Sequence, residues 1–350
     1  MEEEQNNFDL CSVNMAEQDK GESSETSKER VLATLRNDML SADLTWSLFV
    51  AALGNYRHDT VLRPSPPHFT ENGEKDFKKI KNVVHAIPSL SQVILDGYEI
   101  SEDAWYLLDW VLNSDRKPFQ LTAVPAELVK NEVEQYQKLT NHSEPTKSPD
   151  YIFQVGCSDT VNGKFETKLS ECSGKRLYGY HGSRLENWHS ILHSGLSSVM
   201  NKTSLFGEGT YLSNELTLSM HYSPHGTGWK HSQLGRKLSC IAMCEIIDHP
   251  AIKCSIQGDS NKQRGLAHNS EGGTVPERYF VVSNNELLRI KSLLVYVDST
   301  PQQSLLAQRP SWLKENSFIL TMLAYALCLV AIGLANSKPF KRFLRNLMKS

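Results

Sequence analysis

At 350 residues the chain has room for about two domains. Apolar residues make up 39% and charged residues 22%, which is ordinary globular usage and excludes a fibre, a low-complexity chain and a wholly disordered one. The net charge of −3 leaves no basic excess, so no nucleic-acid partner is expected.

That sum hides an asymmetry. Residues 1–30 carry nine acids against three bases, while residues 336–350 carry five bases and no acid. Residues 1–29 are polar and acidic and read as a disordered head. From Asp38 onward Leu40, Leu44, Leu48, Phe49, Ala52 and Leu53 recur at helical spacing, up to the Arg63-Pro64-Ser65-Pro66-Pro67 break. Phe77, Ile80, Val83 and Val84 mark a second helix. Ser101 caps a third that carries Trp105, Leu108 and Leu112, and residues 125–139 are built of good helix formers. Residues 30–140 therefore read as an all-helical domain, and 141–150 (TNHSEPTKSPD from Thr140) as a linker.

Beyond it the texture changes. Residues 151–155, 164–169 and 176–180 are short β-prone runs, and 237–247 and 287–297 are long ones. Helices are expected only at 185–193, closed by Gly195, and at 215–222. Many strands with few helices argue an α+β fold with a mixed, largely antiparallel sheet over 151–300. Seven scattered cysteines without a CxxC pair point to a reducing compartment and to no zinc knuckle. His189 and His193 have ligand-like i, i+4 spacing but no Glu after the first His and no third ligand, so no metal is expected. Cys240 and Cys244 share a strand face and are expected to be buried, and His221 and His225 are loop residues near the motifs below.

Residues 318–335 (FILTMLAYALCLVAIGLA) hold eighteen residues without a charge, about 27 Å as a helix against a hydrocarbon core of roughly 30 Å. With no apolar leader at the N-terminus, 317–336 is expected to be a transmembrane tail anchor, after a juxtamembrane linker at 301–316 and before a short basic lumenal tail at 337–350. The positive-inside rule argues the opposite orientation, but moving a folded body across a membrane without a signal is the harder step. The sequons at Asn141 and Asn201 are expected to go unused if the body faces the cytosol.

The chemistry-bearing residues form an ordered set. Tyr180-His181-Gly182-Ser183 ends a strand. Phe206-Gly207-Glu208-Gly209-Thr210-Tyr211 enters the next, with Ser219 and Tyr222 eight and eleven residues after Tyr211. Tyr279 stands twelve residues before Lys291-Ser292-Leu293-Leu294. In this order and spacing the set resembles the catalytic domain of the poly(ADP-ribose) polymerase family, the diphtheria-toxin-like ADP-ribosyltransferases. Most similar is the family's tail-anchored member of the endoplasmic reticulum.

The resemblance implies NAD+ as co-substrate and His181, Tyr211 and Tyr279 as the catalytic set. It implies that Gly182, Ser183, Ser219 and Tyr222 join His181 and Tyr211 in binding NAD+, with Gly182 gripping the nicotinamide amide and Tyr222 stacking on its ring. Polymer-forming members carry Glu where this chain has Tyr279, and a phenol is a poor base at neutral pH. Transfer of single ADP-ribose units is therefore expected, to protein acceptors that include the enzyme itself. Glu277 and Glu286 lie near Tyr279 but out of register with the Lys-x-Leu-Leu count. Localisation to the endoplasmic-reticulum membrane and the contiguous nuclear envelope is implied, as a single-pass protein with its catalytic domain in the cytosol. Two rivals share the same residues: an inactive NAD-pocket scaffold and an NAD glycohydrolase.

Overall fold

The structure is a computed structural model that describes residues 24–95, 98–114, 117–142, 147–172, 174–196, 205–255, 262–265, 272–298 and 317–336. Residues 1–23, 301–316 and 337–350, the sequon at Asn201 and the 256–261 segment lie outside the described residues. The chain divides into two units, Met1–Asp298 and Ser299–Ser350.

The first unit opens with helices α1 (Ser24–Asn37) and α2 (Met39–Gly54). The first of these starts inside the stretch read as disordered head. Asp38 sits between them and caps α2, accepting from the Ser41 N–H at 2.9 Å and the Ser41 hydroxyl at 2.7 Å. A short helix α3 (His58–Val61), a hairpin of β1 (Thr70–Glu71) and β2 (Glu74–Lys75), and helices α4 (Phe77–Ala86), α5 (Leu90–Val93) and α6 (Glu102–Asn113) follow. Ser101 caps α6 as expected, accepting from the Ala104 N–H at 3.3 Å.

The region is not all helical. Phe119–Ala123 forms β3, with Phe119 and Leu121 buried and Gln120 and Thr122 exposed, the period-2 pattern of an edge strand. It hands over to α7 (Val129–Thr140), which Asn141 closes in the left-handed conformation at φ 53°. Then come β4 (Tyr151–Cys157), α8 (Asp159–Glu171), β5 (Arg176–Gly182), α9 (Trp188–Ser194), β6 (Thr210–Ser213), α10 (Leu216–Met220), β7 (Gly226–Thr227), β8 (Lys237–Ile247), β9 (Lys253–Cys254), β10 (Tyr279–Val282) and β11 (Leu288–Val297). The 164–169 run read as β-prone lies inside α8. Phe165 and Leu169 are buried there four residues apart, a helical rather than a strand spacing.

Among the described residues nine strands make one sheet in the order β3-β4-β11-β8-β5-β6-β10-β9, with β7 on β8. Every pairing is antiparallel. The central strand β8 is buried on both faces. Cys240, Ala242, Cys244 and Ile246 point into one core, and Ile241 and Met243 into the other with Tyr136 of α7.

Helix α2 is mostly apolar and buried on nearly every side, its polar Ser41, Asp43, Thr45 and Ser47 included. Leu44, Leu48 and Ala51 enter the core of the sheet, while Trp46, Phe49, Ala52 and Leu53 enter the core of the helices. Its one buried carboxylate, Asp43, accepts from the Ser232 hydroxyl and from the Gln233 N–H at 2.8 Å, in the turn before β8. The helical region and the sheet are thus joined within the first unit by a shared helix.

The second unit contains α11 (Ser317–Asn336), a 20-residue helix without an ionisable acid or base other than Tyr325 and Cys328. Its described apolar side chains, among them Met322, Leu323, Leu327 and Ile332, are exposed. Counted over the described residues alone, no helix is long and apolar enough to cross a membrane.

Candidate active site

Sheet register brings the three motifs together. On β5, His181 and Gly182 pair with Ala242 and Ile241 of β8. Strand β6 lies on the other side, with Tyr180 opposite Ser213, and β10 follows it, with Val281 opposite Tyr211 and Tyr279 opposite Ser213. Residues far apart in sequence therefore sit on three adjacent strands.

His181 donates from Nδ1 to the Tyr211 carbonyl at 2.9 Å. Burial holds its imidazole below the ordinary histidine range, against the opposing pull of that carbonyl. The ring is therefore neutral at pH 7 with its proton on Nδ1, which leaves the Nε2 lone pair as an acceptor. Trp188 stands edge-on to the ring with centroids 6.3 Å apart.

Gly182 is required by its neighbours. A Cβ there would lie 2.0 Å from the Ser219 carbonyl oxygen and 3.2 Å from Tyr222 Cβ. The glycine lets α10 close onto the strand end. Ser219 is buried and donates to the Tyr180 carbonyl at 3.0 Å. Tyr222, one turn on, is 60% exposed, so its ring is offered to solvent at the strand end.

Ser183 is held by groups that the sequence reading did not single out. Asn187 Nδ2 donates to its hydroxyl at 3.0 Å, while Trp188 Nε1 and the Ser223 hydroxyl donate to its carbonyl at 3.2 and 2.9 Å. Ser223 also reaches the Cys240 carbonyl at 2.5 Å. Lone Asn, Trp and Ser residues carry no spacing signal, so only the fold reveals this cradle.

Tyr211 uses its hydroxyl on the preceding loop. It accepts from the Phe206 N–H at 2.8 Å and donates to the Gly207 carbonyl at 2.7 Å. Gly209, at φ +157°, has no room for a Cβ, which would meet Val281 Cγ1 at 2.7 Å. The Phe206 ring lies between the two other aromatic residues, 6.5 Å from Tyr211 and 5.9 Å from Tyr279. Burial first, and the neighbouring Tyr222 phenol second, push the Tyr279 pKa upward. Arg278 and Glu215 form an ion pair at 3.6 Å beside it. Glu286 sits in the exposed turn after β10, where its N–H donates to Asn284 Oδ1.

The remaining sequence candidates fall elsewhere. His189 is buried and donates from Nε2 to the Pro64 carbonyl at 2.9 Å, and His193 donates from Nδ1 to the His189 carbonyl at 2.7 Å. Among the described residues no group of His, Cys, Asp or Glu is placed to hold a metal ion. Cys240 and Cys244 are fully buried, and burial pushes both thiols well up. His221 and His225 are exposed.

Comparison with known proteins gives the family. The profile described as the poly(ADP-ribose) polymerase catalytic domain matches residues 130–297, and that of the ARTD15 N-terminal domain matches residues 33–112. The mouse (Mus musculus) protein mono-ADP-ribosyltransferase PARP16 is 43% identical over 315 residues, covering 87% of this chain and 94% of that protein, and the human (Homo sapiens) protein gives the same figures. Mouse protein mono-ADP-ribosyltransferase PARP8 is 25% identical over 260 residues, which is 59% of this chain and 28% of that one. On the strand-ordered His181, Tyr211 and Tyr279 set and on this identity across most of its length, the chain belongs to the poly(ADP-ribose) polymerase family.

Proposed function

We propose that the chain is a protein mono-ADP-ribosyltransferase that moves one ADP-ribose from NAD+ to a protein side chain and releases nicotinamide. The observation that carries the reading is the convergence of His181, Tyr211 and Tyr279 on adjacent strands, with Tyr rather than Glu at the third position.

The scissile bond joins ribose to a cationic pyridinium, so nicotinamide departs neutral and needs no general acid. The transition state is oxocarbenium-like, as in glycoside cleavage. The residues' work is to grip, orient and exclude water. In this reading the Gly182 backbone binds the nicotinamide amide. Ser219, whose proton goes to the Tyr180 carbonyl, keeps its lone pairs for an amide N–H. Tyr222 stacks on the ring from its exposed position. His181 Nε2 accepts a ribose hydroxyl proton, and Ser183, fixed by Asn187, Trp188 and Ser223, shapes the same wall. Tyr211 holds the 206–207 backbone in place. The Tyr279 phenol, with its pKa raised, is no base at pH 7, and activation of a second ADP-ribose acceptor fails for want of one.

The apolar helix α11 is proposed as a single-pass anchor. Its stretch of residues 318–335 carries no charge across eighteen residues, a length of about 27 Å. The resemblance points to the endoplasmic reticulum and nuclear envelope, with the catalytic unit in the cytosol and with neighbouring membrane proteins and the enzyme itself as acceptors. Regulation is assigned to residues 30–140 and catalysis to residues 151–300, with residues 141–150 as the linker.

The full-length chain incubated with labelled NAD+ tests the activity. Discrete labelled bands, lost in His181→Ala, are expected. A high-mass ladder would overturn the single-unit reading, and free ADP-ribose without labelled protein would favour the glycohydrolase. For the anchor, carbonate-resistant membrane pelleting that disappears on removing residues 317–350 is expected, with Asn141 and Asn201 unglycosylated.

A further inference from the structure

A groove of about 660 Å³ opens beside the edge strand β3, at the opposite end of the sheet from β9, where α1, α2 and the end of α6 face the strand. None of the residues of the candidate active site lines it. Its lining is mixed, with apolar Ala33, Ala42 and Leu112 beside polar Thr34, Asn37 and Asn113.

Strand β3 meets this groove with part of its backbone free. Phe119 stands opposite Cys157 of β4, Leu121 opposite Val155 and Ala123 opposite Phe153. The direction of each residue's hydrogen bonds follows from the two ends of the ladder. The Val124 N–H donates to the Ile152 carbonyl at 2.9 Å, and the Ser158 N–H to the Pro118 carbonyl at 2.9 Å. Even-numbered residues of the strand therefore turn their backbone toward β4, and odd-numbered ones turn it away. Ala123 obeys this rule, for its N–H donates to Asp38 Oδ2 at 3.0 Å and not to β4. Among the described residues no such partner meets the backbone of Phe119 or Leu121. Yet both residues are buried, at 6% and 5% exposure. Buried backbone N–H and C=O groups are almost always paired, so these call for a partner. Recurring at every second residue along an edge, they match the backbone of another extended strand.

The chain itself holds such a strand. Residues 1–23 lead into α1 and carry seven acids against one base. Phe8 and Leu10, with Asp9 between them, have the period-2 spacing that puts two apolar side chains on one face. The reach suffices. Thr34 lies on the groove wall ten residues after Ser24, about 15 Å along α1. Residues 11–23, when extended, span up to about 43 Å. Charge agrees as well. Lys117 lines the groove at the start of β3, and the one carboxylate among the described lining residues, Asp38, is already taken up by Ser41 and the Ala123 N–H.

We propose that residues 8–10 of the acidic head enter the groove as one more strand, antiparallel to β3, with Leu10 opposite Phe119 and Phe8 opposite Leu121. The head's backbone then pairs the free N–H and C=O groups. Its two apolar side chains continue the buried face of the strand, and Asp9 falls beside exposed Gln120. The edge is thereby closed to strands of other chains.

The test is hydrogen exchange at single-residue resolution on the full-length protein in detergent. Beside it stand a full-length chain with Phe8→Asp and Leu10→Asp and a chain that lacks residues 1–23. The Gln120 and Thr122 amides, bonded to β4, serve as the internal reference. In the parent chain the Phe119 and Leu121 amides are expected to exchange about as slowly as the reference. In both variants they should exchange about tenfold or more faster, with the reference unmoved. A synthetic peptide of residues 1–14 added to the truncated chain should restore the protection. Fast Phe119 and Leu121 amides in the parent chain would mean that water covers the edge, and would overturn the proposal. So would amides that stay slow in all three chains, or protection that persists in the variants and falls on dilution, the mark of a second copy.

Discussion

The hydrogen bond from His181 Nδ1 to the Tyr211 carbonyl fixes which nitrogen faces outward, and so what the histidine does. His181→Ala removes an acceptor aimed at a ribose hydroxyl, and kcat/KM for NAD+ is expected to fall by about 10²-fold or more, a loss of roughly 3 kcal/mol of transition-state binding. Tyr279→Phe is expected to cost less than about tenfold and to leave single-unit transfer intact, because the phenol is no base at neutral pH. Steady-state transfer assays with labelled NAD+ on both variants check the pair; a Tyr279→Phe enzyme as dead as His181→Ala would give the phenol a chemical role. Gly182→Ala is expected to fail for a different reason. Its Cβ would fall 2.0 Å from the Ser219 carbonyl, so α10 must move away from the strand end. Loss of thermal stability by about 1–3 kcal/mol should accompany loss of activity.

At the scale of elements, Asp38 serves two masters. It caps α2 through Ser41 and holds the edge strand β3 through the Ala123 N–H at 3.0 Å. Asp38→Ala should therefore cost about 2 kcal/mol, the upper end of a helix cap, in a denaturant titration. The α9 histidines make a pH prediction. Burial lowers His189 to about 3 and His193 to about 4, against an ordinary value of 6.5. Both fold neutral, so their contribution is complete above about pH 6.5 and is lost as pH falls toward 4 and then 3, at up to about 1.4 kcal/mol per pH unit for each. A melting temperature measured from pH 7 to pH 4 should fall less steeply in His189→Gln than in the parent chain. Much at this scale was legible in the sequence: the 237–247 strand, the Ser101 cap, the Gly195 stop and the motif-bearing strands all stand where spacing put them. The misses share a cause. Phe119–Ala123 is too short to announce itself within helical sequence, and the 164–169 run has a helical burial pattern that only packing on the sheet reveals. The Ser183 cradle was invisible because its donors come from separate positions with no common period.

At the scale of the first unit, α2 is the joint on which the arrangement depends. Leu44, Leu48 and Ala51 belong to the sheet's core as fully as Phe153 or Leu293 do. At about 1.5–3 kcal/mol for each buried large apolar side chain, losing Leu44 and Leu48 alone removes roughly 3–6 kcal/mol of a margin of about 5–15 kcal/mol, before the rest of the helical core is counted. A chain that begins at Lys117 is therefore expected to be insoluble or molten, although it retains every motif residue; size-exclusion chromatography and near-ultraviolet circular dichroism would show it, and a well-folded fragment would refute it. The buried Asp43, which desolvation pushes upward in pKa despite three donors, ties the same helix to the turn before β8. A helical region with its own core can in principle swing away from a catalytic sheet as a lid does. This one has lent its central helix to the sheet, so the two halves must exchange their slowest amide hydrogens together and melt in a single transition. Any signal that silences the enzyme through its helices has to work within the closed arrangement, by small shifts at the seam, because opening it amounts to unfolding.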